Sequence, residues 1–129
     1  MTEPRWLGPV HILAIHSDQV QAHGGTLGLR DRGLLESALE GPRNRVHREV
    51  DADLASMAAA YGFGLARNHP FIDGNKRVAF QAMYLFLGLN GLRIDTSEEQ
   101  VVATIPSLAS GGLDEPSLAA WLRDHVHPR

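Results

Sequence analysis

An apolar run constrains this chain more than any other feature. From Val78 to Leu89 the side chains of Val78, Ala79, Phe80, Ala82, Met83, Tyr84, Leu85, Phe86, Leu87 and Leu89 leave no one-sided polar stripe. A helix of that composition is buried on most sides. The run therefore predicts a central helix with the rest of the chain packed around it.

The residues just before the run are of a different kind: His69-Pro70-Phe71-Ile72-Asp73-Gly74-Asn75-Lys76-Arg77. Pro70 disfavours helical backbone at His69, so a preceding helix should stop near Asn68 and a short loop should follow to Asp73. Asp73 stands where an N-cap belongs. The first N–H groups of the new helix, near Gly74, Asn75 and Lys76, lack intrahelical partners and carry the positive end of the dipole. Lys76 and Arg77 oppose that dipole by about 0.3–1 kcal/mol each at exposed sites, so an anion is expected among them. A phosphate group fits. His69 is a base candidate beside it, Asp73 is a hard oxygen ligand for Mg²⁺, and Phe71 should bury its ring and pin the loop. Together these residues imply phosphoryl or nucleotidyl transfer.

The nine residues from His69 to Arg77 resemble the signature of the Fic/Doc superfamily, H-x-F-x-[D/E]-[G/A]-N-[G/K]-R. Residues from Gly28 to Leu39 also resemble the upstream block of its Doc-type members. The resemblance implies a compact all-α bundle with ATP as phosphoryl donor and Mg²⁺ as cofactor. By the same resemblance His69 is the catalytic base, Asp73 the metal ligand, and Gly74, Asn75, Lys76 and Arg77 the nucleotide-binding residues. Members that transfer AMP usually continue G-N-G-R-x-x-R, whereas this chain has Lys76 for that glycine and Phe80 for that second arginine. Both departures are similar to Doc-type toxins, which implies a protein kinase acting on a Ser or Thr hydroxyl, by resemblance on elongation factor Tu. AMP transfer and a catalytically silent binding module are the alternatives. The inhibitory motif [S/T]-x-x-x-E-[G/N] finds no match, since Glu40-Gly41 has Glu36 at the required Ser/Thr position. Restraint is then expected from a second chain, an antitoxin docking a helix in a groove.

Around this centre the pattern predicts about six helices in one domain, residues 1–129. The first runs from Pro9 to His23, ended by Gly24-Gly25, and its His11, His16 and His23 read as surface or edge residues. Asp31 caps a second over Arg32 to Glu40, stopped by Gly41-Pro42. The resemblance implies a short flap beside the active site, expected within Arg43 to Asp51, a stretch whose Arg43, Arg45, His47 and Arg48 read as a solvated loop or as a docking surface for an acidic partner. Asp51 or Asp53 caps a third helix, whose Gly62 and Gly64 suggest close packing, because each costs about 1 kcal/mol relative to Ala unless something needs the space.

After a stop at Asn90-Gly91, Leu92 to Asp95 alternates but is too short to define a strand. Thr96 or Ser97 caps a helix over Glu98 to Leu108, and Asp114 caps a last one over Glu115 to Val126. There is no cysteine, and the formal charge of −3 argues against direct nucleic-acid binding. No signal-peptide pattern or membrane-length apolar run is visible, so a cytoplasmic protein is the expectation.

Overall fold

The computed structural model describes residues 3–48, 52–96, 100 and 114–129. Among them the chain forms α1 (Pro9–His23), α2 (Arg32–Arg48), α3 (Leu54–Asn68), α4 (Asn75–Leu89), β1 (Leu92–Ile94), α5 (Glu115–His125) and β2 (Val126–Pro128). The helix expected over Glu98 to Leu108 lies outside the described residues. The all-α bundle around a buried helix is present. The helix most enclosed is α3, which packs against α2, α4 and α5, with α4 beside it and α1 laid across α4.

Sequence explains why α3 takes that place. Its buried residues include Ala55, Ala58, Ala59, Ala60 and Ala66, small enough for neighbouring helices to approach closely. A Cβ at Gly62 would fall 2.4 Å from Sδ of Met83 on α4, so the two helices meet where only hydrogen fits. Asp53 is the N-cap: its carboxylate accepts from Ser56 N–H at 2.8 Å, and Ser56 Oγ accepts from Asp53 N–H at 3.0 Å. Arg123 of α5 forks onto the same carboxylate, Nε to Oδ2 at 2.7 Å and Nη2 to Oδ1 at 3.1 Å. These bonds hold the Asp53 carboxyl below its ordinary range, at about 2.

Helix α4 is less evenly enclosed than its composition predicts. Val78, Ala79, Ala82, Met83, Phe86 and Leu87 are buried, whereas Tyr84 and Leu89 are exposed. Its far end is tied to both ends of the described chain. Asn90 Oδ1 accepts from Arg5 N–H at 2.9 Å, and Arg129 N–H donates to Gly91 O at 2.9 Å.

Three local expectations are corrected. Helix α2 runs through Gly41 and Pro42 to Arg48. A proline inside a helix costs about 3 kcal/mol or more, but continuing the helix buries the Pro42 ring. It also sets the Arg43 guanidinium 5.6 Å from the Trp6 ring centroid and pairs Arg45 with Glu115. The region Arg43–Arg48 is therefore helix rather than flap. The last helix stops at His125, because Val126–Pro128 turns into a strand pairing antiparallel with Leu92–Ile94. The alternation at Leu92 to Asp95 is thus a strand whose partner comes from the far end of the sequence.

Candidate active site

The loop between α3 and α4 is fixed at nearly every residue. Helix α3 ends at Asn68, as Pro70 requires, but His69 takes a left-handed conformation, φ 50° and ψ 57°, rather than an extended one. It is the one non-glycine residue with positive φ among the described residues. Such a backbone costs on the order of 1–3 kcal/mol and persists only where its surroundings impose it. Arg30 imposes it here: Nε donates to His69 O at 2.8 Å and Nη2 to Asn68 O at 2.9 Å. Those carbonyls end α3 and have no helical donor, so the guanidinium also complements the negative end of its dipole.

Segment 25–31 runs alongside the loop. Arg30 N–H and Asp31 N–H donate to Pro70 O at 2.7 and 3.0 Å, Ile72 N–H donates to Gly28 O at 3.1 Å, and Leu29 bridges Phe71. The extended element beside the site therefore lies here rather than within Arg43 to Asp51, whose residues 49–51 fall outside the described ones. Its brevity and glycine content hid it, because the partner strand is the motif loop itself.

Phe71 is buried in the core, as expected. Asn75 is also buried, and its amide brackets Phe71: Oδ1 accepts from Phe71 N–H at 3.0 Å and Nδ2 donates to Phe71 O at 2.9 Å. The side chain of Asn75 thus orients the loop. Gly74, not Asp73, is the N-cap of α4, at φ 80° and ψ 15°. The left-handed turn makes this shift: Asp73 is displaced one residue out, and its Oδ1 accepts from Gly74 N–H at 2.9 Å while Oδ2 accepts from Thr26 N–H at 3.3 Å.

The predicted residues lie on the loop before α4 and on its first turn. His69, Asp73, Lys76 and Arg77 are exposed. Neither cation of the first turn has an ion-pair partner among the described residues, and no hydrogen bond engages the His69 imidazole among them. The first-turn N–H groups have no intrahelical carbonyl to bond. An anion placed there would meet the N–H groups that follow Gly74 and two cations, with the Asp73 carboxylate held to one side on Gly74 N–H.

The metal expectation is tested by Asp73. No cluster of three His, Asp or Glu side chains exists among the described residues. A cation here would have one protein carboxylate, which suits Mg²⁺ bound chiefly by water and substrate phosphates. Space beside the carboxylate is kept open at Gly25, where a Cβ would fall 2.8 Å from Asp73 Oδ2. The residues present therefore fit such an ion.

One further residue was misread in the sequence. His16 of α1 is buried rather than at the surface. Its ring stacks on Phe71, centroids 3.9 Å apart and planes 8° from parallel, and Nε2 lies 2.8 Å from Asp73 O. A spacing of four from buried Ile12 was the available signal. His11 instead accepts from Gly8 N–H at the start of α1, at 2.9 Å, and His23 is exposed, as expected.

An all-α domain in which an exposed imidazole, an exposed carboxylate and two exposed cations flank the N-terminus of one helix defines the class. The chain belongs to the Fic/DOC family, whose profile matches residues 6–87. Its relatives place it with the Doc-type members. It is 34% identical over 119 residues to "Protein kinase doc" of Escherichia phage P1, covering 92% of this chain and 94% of that protein. It is 40% identical over 105 residues to "Toxin Doc" of Mycolicibacterium smegmatis (strain ATCC 700084 / mc(2)155), covering 78% of this chain and 80% of that protein.

Proposed function

We propose that this chain is a Doc-type toxin that transfers the γ-phosphoryl group of ATP to a Ser or Thr hydroxyl of a protein. The observation that carries the reading is the open first turn of α4, where Lys76 and Arg77 are exposed beside His69 and Asp73. Backbone N–H groups from Asn75 onward, with the two cations, hold the polyphosphate, while Gly74 N–H stays on Asp73 Oδ1. His69 takes the proton of the acceptor hydroxyl as its oxygen bonds to phosphorus and the bond to the departing ADP breaks. Asp73 would hold a Mg²⁺, and that ion, when bound, would supply neutralisation of phosphate charge. The loop clamps contribute by keeping His69 and Asp73 in place, since catalysis of this kind rests on positioning and charge stabilisation.

Phe80 favours phosphoryl over adenylyl transfer. In AMP-transferring members of the family an arginine stands one turn into this helix. Phe80 offers no charge there and lies 6.2 Å, centroid to centroid, from the Tyr84 ring. The name of the phage relative, a protein kinase, supports the same direction.

Elongation factor Tu is the first target to try, on the resemblance alone, and a cognate antitoxin is the proposed restraint. The test is incubation with elongation factor Tu and with a bacterial extract, using ATP labelled at the α or the γ position. Label transferred from γ alone is the expected result, and label from α would replace the kinase with an adenylyltransferase. Expression without an antitoxin should stop growth, and His69→Ala should restore it.

A further inference from the structure

We propose that His16 is the positioning residue for Asp73: its Nε2–H fixes the Asp73–Gly74 peptide and thereby aims the carboxylate that receives the metal ion. The inference rests on the reading of Asp73 as the metal ligand.

A carbonyl oxygen only accepts, so the 2.8 Å contact between His16 Nε2 and Asp73 O requires the proton on Nε2. The other end of the same peptide is also held, because Gly74 N–H donates to Asp73 Oδ1 at 2.9 Å. One rigid unit is thus gripped at its oxygen by α1 and at its nitrogen by the side chain it carries. Gly74 is where such a unit could rotate, since glycine reaches many other backbone angles at low cost. Without the His16 donor, the peptide is free to turn and carry the Asp73 carboxylate with it.

His16 is itself rigid. It is 2% exposed, its ring lies flat on Phe71, and a Cβ at Gly74 would stand 3.8 Å from its Cδ2. A solvated surface histidine would have none of these contacts. The arrangement matches that of outer partners of metal ligands, whose removal typically costs about ten- to a hundredfold in metal affinity.

Two substitutions separate the donor from the ring. His16→Gln keeps an N–H near the Nε2 position without the stack, and His16→Phe keeps the stack without the donor. Each purified variant is titrated calorimetrically with the β,γ-imido analogue of ATP, with Mg²⁺ and with EDTA, and its melting temperature is recorded. The expected result is that His16→Phe loses about tenfold or more of the affinity gained from Mg²⁺, at unchanged metal-free affinity, while His16→Gln keeps most of that gain. Equal losses with and without Mg²⁺, or a full Mg²⁺ gain in His16→Phe, would overturn the proposal.

A second measurement on the unaltered protein covers failure of a variant to fold. Nitrogen-15 NMR of the imidazole should show the Nε2–H form with a ring proton protected from exchange, and the other tautomer would overturn the proposal. If the unaltered protein gains no affinity from Mg²⁺, the reading of Asp73 fails, and the NMR result alone decides whether His16 holds the peptide.

Discussion

Asn75 shows how much of this site is scaffold. Its buried amide satisfies both backbone polar groups of Phe71, so Asn75→Ala leaves a buried donor and acceptor without partners. The expected loss is about 1–3 kcal/mol in denaturant unfolding, with transfer activity falling alongside. His69 behaves oppositely. Its imidazole is exposed, so His69→Ala should change stability by only about 0.5 kcal/mol while abolishing transfer. Because φ is 50° here, His69→Gly relieves strain and should be more stable than His69→Ala by about 1 kcal/mol, though equally inactive. The residue types at the mouth of α4 were legible in the sequence, since His69, Asp73, Lys76 and Arg77 announce themselves by chemistry. Residues that act through backbone carbonyls were not. Arg30 and His16 reach Asn68, His69 and Asp73 across the fold, and neither periodicity nor composition encodes that reach.

At the scale of elements, α3 is anchored at one end by Asp53 and Arg123 and packed tightly along its side. The Asp53 carboxyl is lowered from 3.8 to about 2, chiefly by the Arg123 hydrogen bond. A depressed folded pKa means that the stabilisation is complete above the ordinary value and fades as pH falls from about 4 towards 2. The carboxylate is 42% exposed, so solvent screens the pair and the effect is modest. Melting temperatures across that range should fall less steeply for Asp53→Asn than for the parent. Gly62→Ala drives a methyl against Met83, which is 1% exposed and has little room to move. Overpacking of this kind costs about 1–3 kcal/mol, readable in the unfolding midpoint. The small residues of α3 foretold this packing. The extension of α2 past Gly41 and Pro42 was hidden, because burial of Pro42 and the partners of Arg43 and Arg45 outweigh a local stop signal.

At the scale of the molecule, α4 is largely apolar along its length and held at its ends by polar side chains. Asparagines mark both its ends: Asn75 brackets Phe71 at the site, and Asn90 brackets Arg5 at the other end, donating to its carbonyl at 3.1 Å and accepting from its N–H at 2.9 Å. The two-stranded sheet, with Arg129 bonded to Gly91, closes that same end. The sheet escaped prediction because its strands are three residues each and distant in sequence. Helix α4 has 15 residues, which sets the Arg5–Arg129 end about 20 Å from its N-terminus. A fluorophore or affinity handle joined near Arg5 or Arg129 would therefore sit at the opposite end of α4 from the proposed site, and an energy-transfer pair placed on both would report unfolding without touching that site.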